Sequence, residues 1–216
     1  MNREETDIAA LRENYTRGEL RKEDLLAEPI EQFRGWLEEA VEGKLLEPNA
    51  MTLATVGGGG VPSVRTVLLK GLDERGFRFF TNYRSKKALD LEESEWAAVS
   101  FLWRELERQV NVKGVVRKIS REESEEYFRT RPYESKIGAW VSEVQSGVIA
   151  GREVLEERME KLQEEYGEEV PMPEFWGGYV LEPSEVEFWQ GGAGRVHDRL
   201  VYRKEESGWE VMRLSP

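Results

Sequence analysis

The spacing of apolar residues predicts two helices in the first 50 residues. Over residues 7–17, Ile8, Leu11 and Tyr15 recur at helical spacing, which predicts a short amphipathic helix. Over residues 29–43 the apolar positions again share one face, with a proline where a first turn tolerates it and a glycine at the end. The second pattern therefore predicts a longer and better delimited helix.

After Pro48 the pattern changes to short apolar stretches, some of them alternating with polar positions, which is typical of strands. Helices are predicted near residues 85–93, 121–130 and 152–166, with a break at Pro132. The predicted strands are Ala50–Val56, Ser63–Leu69, Phe77–Thr81, Trp96–Trp103, Arg108–Ile119, Gly178–Leu181, Glu185–Trp189, Arg199–Arg203 and Trp209–Leu214. Mostly short turns join them, which favours an antiparallel barrel with inserted helices over alternating βαβ units.

We therefore expect an α+β fold, predominantly antiparallel β, in one domain over residues 1–216. An N-terminal helical segment over 1–47 precedes a barrel with inserted helices over 48–216. The length of 216 residues suits a single sizeable core. The Gly57–Gly60 run is predicted to be a flexible hairpin connection. It lacks the spacing and the strand–turn–helix context of a nucleotide-binding phosphate loop, so we exclude that interpretation.

Composition and charge argue against several classes of protein: those that bind duplex nucleic acid, span a membrane or hold a metal ion. The net charge of −12 argues against duplex nucleic acid as a partner, and no apolar run approaches the roughly 20 residues that span a bilayer. The first residues lack the layout of a secretory signal, so we expect a cytoplasmic protein. With no cysteine and one histidine, we expect no disulfide and no metal site.

Positive charge is concentrated between Arg65 and Lys87, where seven basic residues stand against two acidic ones. Such a local excess suggests a small anionic ligand. Alternation on a strand places Arg65 and Lys70 on opposite faces, so Arg65 could reach a terminal phosphate while Lys70 lies against a ring system. Arg75 and Arg78 are interpreted as surface residues of a hairpin.

Two further segments carry candidate anion ligands. The segment Phe80–Lys87 passes from a strand end into a helix start, where a serine hydroxyl, free N–H groups and two ammonium groups could hold a phosphate; the alternative is an ordinary serine cap with solvated lysines. Tyr127, Arg131 and Ser135, spaced four apart, could hold a second phosphate, although such pairs are common on surfaces. Gln109, Gln145 and Ser146 offer polar groups to the edge of a heterocycle.

The single histidine, His197, lies between Arg195 and Arg199, shortly after Trp189 and a glycine pair. Two guanidinium groups and an imidazole beside an aromatic ring suit an anionic, planar ligand. The alternative is a solvated strand edge.

Together these segments resemble the pyridoxamine (pyridoxine) 5′-phosphate oxidase family over nearly the whole chain. The most specific segments are RTVLLK (65–70), LERQV (106–110), SKIGAWVS (135–142), FWGGY (175–179) and VEFWQGG with RVHDR (186–199). The resemblance implies an FMN-binding split β-barrel with surrounding helices and a homodimer with FMN at its interface. The FMN contacts that it implies are Arg65, Lys70, Phe80, Thr81, Ser85, Lys86, Lys87, Gln109, Gln145, Ser146, Trp189 and Arg199.

The same resemblance implies the substrate site and the reaction. Its residues are Arg12, Tyr15, Lys70, Tyr127, Arg131, Ser135, Arg195 and His197, with Arg195 and His197 as the catalytic pair. The implied substrates are pyridoxamine 5′-phosphate, pyridoxine 5′-phosphate and O2. Hydride passes from C4′ to flavin N5, which gives pyridoxal 5′-phosphate from the alcohol and, after hydrolysis of the imine with release of ammonia, from the amine. O2 then reoxidises the flavin and is reduced to H2O2.

Three positions depart from the family pattern. Lys86 stands where arginine is usual, Gly147 stands where a second serine is usual, and the loop at 142–145 is one residue longer. Two alternative functions are a split-barrel protein that binds flavin or pyridoxal phosphate without turnover, and a flavin-dependent reductase of another small molecule. Retention of the substrate residues counts against both.

Overall fold

The computed structural model describes residues 7–11 and 13–216. Among the described residues of 7–17 the structure has one 3₁₀ turn, Ile8–Ala10, and otherwise no helix, so the helix predicted there is wrong. The backbone N–H groups of Thr16 and Arg17 donate to the Glu107 carboxylate at 2.8 and 2.9 Å, so a tertiary contact takes hydrogen-bonding groups that a helix would need.

The second predicted helix is confirmed as α1, Pro29–Glu42, and its buried face includes Phe33 and Trp36. The Phe33 ring contacts those of Phe77 and Phe101, with centroids 4.9 and 4.7 Å apart, and so joins the helix to the core of the sheet. Aromatic contacts of this kind add to the area buried by the apolar face.

In the described part of the chain, nine strands form one antiparallel sheet. They are β1 (Ala50–Val56), β2 (Pro62–Leu68), β3 (Gly71–Asp73), β4 (Gly76–Asn82), β5 (Trp96–Trp103), β6 (Arg108–Lys118), β7 (Trp176–Gln190), β8 (Asp198–Glu205) and β9 (Gly208–Leu214). The order is β2-β1-β5-β6-β7-β4-β3, and β8 pairs with β7 and β9. The predicted α+β, mainly antiparallel split-barrel fold is confirmed.

Strand β7 corrects another prediction, because two strands were expected where one continuous strand is found. Its first half pairs with β4 and its second half with β8, while β6 runs along both. The Glu182-Pro183-Ser184 segment has the composition of a turn, but a bulge at Lys113/Gly114 accommodates it within the ladder. A Cβ on Gly114 would lie 2.0 Å from the Glu182 oxygen, so only glycine permits this approach.

Four further helices surround the sheet: α2 (Lys86–Glu93), α3 (Arg121–Thr130), α4 (Tyr133–Val141) and α5 (Glu153–Tyr166). Helix α4 was not predicted, because Pro132 was interpreted as a break. Proline is tolerated before or within a first helical turn, and here it precedes the first helical residue. In the described part of the chain, every helix is too short or too polar to cross a bilayer.

Candidate functional site

A cavity of about 560 Å³ lies where β2 and β4 face the beginning of α2 and the α3–α4 connection. Six of the predicted cofactor residues and four of the predicted substrate residues line it, with Lys70 belonging to both sets. The lining includes Arg65, Lys70, Phe80, Thr81, Lys87, Tyr127, Arg131, Ser135 and Gln145. The structure thus brings together side chains that are up to 80 positions apart in the sequence.

Lys87 forms one cationic side of this cavity. Its Nζ donates to Thr81 Oγ1 at 3.1 Å and to Gln145 Oε1 at 3.4 Å. Burial, together with the nearby charge of Arg65, lowers the pKa of Lys87 to about 8. No carboxylate of the described residues forms an ion pair with the Lys87 ammonium. An anionic ligand would therefore supply the negative charge that balances it.

Arg65 lies beside Lys87, with its guanidinium held against β1. Its Nη1 donates to Thr55 Oγ1 at 2.7 Å and to the carbonyl oxygens of Leu53 and Ser63 at 3.2 and 3.1 Å. Asp90 Oδ2 lies 3.9 Å from Nη2. Burial lowers the pKa of Arg65, and the charge of Asp90 opposes that shift without cancelling it.

Arg131 forms the second cationic side. Its guanidinium lies over the Trp176 ring, 4.7 Å from the centroid, and its Nη1 is buried without a hydrogen-bond partner among the described residues. Burial lowers the pKa of Arg131, and its interaction with Tyr127 opposes the shift. Since buried polar groups in proteins are almost always paired, this nitrogen marks a position for an acceptor supplied by a ligand.

An aromatic stack fixes Tyr127 beside Arg131. The Tyr127 and Phe80 rings are stacked with centroids 3.9 Å apart, and Phe80 stacks on Trp176 at 5.4 Å. Burial raises the pKa of Tyr127, which keeps its hydroxyl protonated and able to donate. Ser135, in the first turn of α4, also lines this end of the cavity.

Lys70 lies in the same cavity as Arg65, although strand alternation placed the two on opposite faces. Strand β2 ends at Leu68, so Lys70 is beyond the regular alternation, and its N–H donates to the Arg78 oxygen. The interpretation of Arg75 and Arg78 as hairpin residues is confirmed, since both form ion pairs with Asp73 and Glu123.

Six predicted cofactor residues do not line the cavity, and three of them are Ser85, Lys86 and Ser146. Ser85 is fully buried and its Oγ accepts from the Ala88 N–H, which is the ordinary cap that the sequence left open as an alternative. Lys86 pairs with Asp90 on the same helix. Ser146 is exposed, with a left-handed φ of 69°.

The remaining predicted residues lie elsewhere on the chain. Gln109, Trp189 and Tyr15 line a second cavity of about 430 Å³, which shares no lining residue with the first. Arg199 pairs with Trp189 across β7 and β8, and its Nε donates to Glu187 at 2.6 Å. The structure therefore divides the predicted site residues into two groups.

Tyr15, Trp189 and His197 form a ring cluster at this second group. The Tyr15 centroid lies 5.6 Å from that of Trp189 and 5.5 Å from that of His197, and the latter two are 4.7 Å apart. The Gly192 N–H donates to His197 Nδ1 at 3.2 Å, so Nδ1 is unprotonated and Nε2 carries the hydrogen of the neutral ring. His197 can therefore donate through Nε2.

Arg195 is exposed and follows Gly194, both with left-handed φ values of 65° and 64°. It lines neither of the two cavities. Arg12 lies outside the described residues. Among the described residues no group of three or more His, Asp or Glu side chains could hold a metal ion.

Sequence reasoning missed several residues of the first cavity. Trp176 supports Arg131, and Asn82 Nδ2 donates to the oxygens of Ser142 and Glu143 at 2.6 and 3.0 Å, which fastens the end of α4 to β4. Trp176 belongs to the FWGGY segment, so the motif contained the signal. The role of Asn82 depends on α4, which the sequence did not predict.

Two family profiles match this chain, and together they cover most of it. The profile described as pyridoxamine 5′-phosphate oxidase matches residues 37–166, and the one described as pyridoxine 5′-phosphate oxidase C-terminal dimerisation region matches residues 176–216. Proteins named pyridoxine/pyridoxamine 5′-phosphate oxidase from Cupriavidus pinatubonensis and Salinibacter ruber are 52% and 51% identical. The alignments cover 98% and 97% of this chain and 100% and 99% of those relatives.

Solved structures show the same fold. PhzG from Burkholderia lata 383, in complex with tetrahydrophenazine-1-carboxylic acid, superposes with a TM-score of 0.85 and 31% identity over 90% of this chain and 95% of that one. A pyridoxamine 5′-phosphate oxidase-related, FMN-binding protein from Nostoc punctiforme gives a TM-score of 0.69 at 18% identity, over 85% and 97% of the chains. By profile and by full-length similarity, the chain belongs to the pyridoxine/pyridoxamine 5′-phosphate oxidase family.

Proposed function

We propose that this protein is an FMN-dependent oxidase that converts pyridoxamine 5′-phosphate or pyridoxine 5′-phosphate to pyridoxal 5′-phosphate. The observation that carries the proposal is the first cavity, which has two separate cationic sides and, among the described residues, no carboxylate paired to Lys87 or Arg131. FMN and the substrate each bring one phosphate, and the cavity offers one cationic side to each. Its volume of about 560 Å³ lies in the range of small-molecule sites.

The residues present fit FMN. Arg65 and Lys87 would hold its phosphate, since a buried ammonium without an acid partner requires an anion to offset its desolvation. Gln145 Oε1 and Thr81 Oγ1, which hold Lys87 Nζ, fix its direction. When bound, FMN would accept hydride from substrate C4′ at N5 and pass the electrons to O2, giving H2O2.

Arg131, Tyr127 and Ser135 would hold the substrate phosphate. The guanidinium provides a planar pair of donors and the two hydroxyls donate from either side. His197 would donate from Nε2 to the substituents of the substrate ring, and Arg195 would supply a charge there, so both orient the ring and stabilise developing charge. For the amine substrate, water would then hydrolyse the imine to the aldehyde and ammonia.

We also propose that the protein acts as a homodimer. The two groups of site residues share no cavity on one chain, and the segment 176–216, which matches a dimerisation region, contains Trp189, Arg195, His197 and Arg199. A second copy would place this group against the first cavity of its partner. Each complete site would then use both chains.

Mixing two impaired variants, assayed at a substrate concentration below the KM of the wild type, tests this arrangement. Arg131→Met and His197→Ala lie in different groups, so each homodimer lacks a residue in both of its sites. A heterodimer has one site with both residues intact and one with neither. We expect activity to return on co-refolding the two variants, and absence of recovery in a verified heterodimer would contradict the shared site.

Oxygen uptake by the protein reconstituted with FMN tests the activity itself. We expect consumption of O2 with pyridoxamine 5′-phosphate, and release of part of it again on addition of catalase, because H2O2 is the product. A protein that binds FMN but takes up no oxygen with either phosphate ester would be a binder. Uptake with a reduced phenazine carboxylic acid alone would favour the chemistry suggested by the ligand of PhzG.

A further inference from the structure

A buried chain of hydrogen bonds lies behind Arg65, on the side away from the cavity. Thr55 and Asp90 form these hydrogen bonds, and they are 1% and 2% exposed. Neither lines the cavity. Buried polar groups of this kind are costly unless they are fully paired, so their pairing indicates what they hold in place.

The number of hydrogens on each group shows which atom donates in each of these hydrogen bonds. Thr55 Oγ1 donates its one hydrogen to Asp90 Oδ2 at 2.7 Å, and it therefore accepts from Arg65 Nη1, also at 2.7 Å. The register of β1 and β2 pairs Leu53 with Arg65 and Thr55 with Ser63, which places Thr55 and Arg65 on the same face. The hydroxyl thus links the guanidinium to the carboxylate.

Asp90 is ionised in this position. Burial alone would raise the pKa of Asp90, but hydrogen bonds from Lys86 and Thr55 and the charges of Lys86 and Arg65 together hold it below its ordinary value. Lys86 pairs with Asp90 and does not line the cavity.

The four-glycine turn, which the site itself does not use, completes this arrangement. A Cβ on Gly57 would lie 2.8 Å from Asp90 Oδ1, and the Gly58 N–H donates to Glu93. Because Gly57 and Gly58 carry no side chain, α2 approaches the β1–β2 connection closely enough for Asp90 to reach Thr55. The turn is therefore a requirement of the contact between helix and hairpin.

We propose that Thr55 and Asp90 are positioning residues, which fix the Arg65 guanidinium for the phosphate of the flavin cofactor; this inference rests on the proposed function. Nη1 is committed to acceptors on β1 and β2, while Nη2 lies 3.9 Å from Asp90 Oδ2, beyond hydrogen-bond distance, and neither Nε nor Nη2 donates a hydrogen bond to any of the described residues. Those two nitrogens stay available to an anion in the cavity. Preorganised donors bind more strongly because less rotamer entropy is lost on binding.

The test compares FMN with riboflavin, which lacks the phosphate. Their dissociation constants are measured by quenching of flavin fluorescence on the purified, full-length apoprotein. For Thr55→Val we expect the dissociation constant for FMN to rise about tenfold, while that for riboflavin changes less than about twofold. Thr55→Ser keeps the hydroxyl and is expected to restore wild-type affinity.

Asp90→Asn separates positioning from simple attraction. The substitution makes the site more positive, so an account based on charge alone predicts tighter FMN binding, whereas positioning predicts weaker binding. Thr52→Val is the matched control, since Thr52 is an exposed threonine of the same strand. Thermal unfolding of each apoprotein reports on folding, and Thr55→Val decides the question if Asp90→Asn does not fold.

Unchanged FMN affinity in Thr55→Val would overturn the inference. Equal weakening of FMN and riboflavin, or tighter FMN binding by Asp90→Asn, would also overturn it. Failure of the wild-type protein to bind FMN is a different result, because it contradicts the proposed function itself.

Discussion

Replacing Arg131 by methionine removes the charge on one side of the cavity while keeping an unbranched side chain over Trp176. In the free protein Nη1 of this guanidinium is buried without a hydrogen-bond partner among the described residues, so no hydrogen bond offsets the desolvation of that nitrogen. We therefore expect the apoprotein of Arg131→Met to unfold at the same temperature as wild type or higher. The catalytic effect is expected in the opposite direction, because the ligand phosphate loses its charged donor.

The size of the catalytic effect follows from the contacts. A hydrogen bond to a charged group contributes about 1.5–3 kcal/mol, and truncating one partner of a buried charge pair costs about 2–5 kcal/mol. Since 1.4 kcal/mol corresponds to a factor of ten, we expect kcat/KM for pyridoxamine 5′-phosphate to fall by about 10²- to 10³-fold. The loss is expected mainly in KM, because the phosphate is held in both ground and transition states.

Steady-state oxygen uptake at saturating FMN measures this loss, and fluorescence quenching measures FMN affinity separately. Arg129→Met is the matched control, because Arg129 lies in the last turn of α3, two residues before Arg131, is 74% exposed at its side chain, and pairs only with Glu125 among the described residues. Wild-type kcat/KM in Arg131→Met would refute the reasoning. So would a loss that disappears once FMN is saturating, since Arg131 would then belong to the cofactor site.

Three further predictions follow from the geometry. Because burial and Arg65 lower the pKa of Lys87 to about 8, the ammonium loses its proton as pH rises through that value; we expect FMN affinity in the apoprotein to fall between pH 7 and 9, and Lys87→Met to abolish most of this dependence. His197 is the only histidine, so ¹⁵N NMR reports it alone; at high pH we expect the Nε2–H tautomer, and His197→Ala is expected to lower kcat about 10²-fold with flavin retained. A Cβ on Gly191 would lie 2.7 Å from the Tyr15 ring, so Gly191→Ala is expected to displace the N-terminal segment and speed its cleavage in limited proteolysis, whereas unchanged cleavage would refute the contact.

Most of the fold could be predicted from local pattern. The proline start and glycine end of α1 and the serine cap of α2 are properties of neighbouring residues, and the structure confirms them. The errors occur where a distant contact decides the local conformation. Glu107 holds the backbone at Thr16 and Arg17, and the bulge opposite Pro183 keeps β7 continuous.

The candidate site was predictable in its charges and less so in its geometry. The excess of basic residues from Arg65 to Lys87 and the spacing of Tyr127, Arg131 and Ser135 both indicated residues that line the same cavity. The sequence could not distinguish the capping role of Ser85 from a ligand contact, because both use the same hydroxyl. Nor could it show that Thr55 and Asp90 hold Arg65, since that contact depends on how α2 packs on β1.

The most direct test of the proposed activity is one turnover without oxygen. Pyridoxamine 5′-phosphate is mixed anaerobically with the FMN-reconstituted protein, and the visible flavin band and the amount of pyridoxal 5′-phosphate are followed together. We predict that the band bleaches, that one aldehyde forms per flavin, and that the band returns when oxygen is admitted. A flavin band that stays unchanged in the presence of saturating substrate would contradict the proposed function.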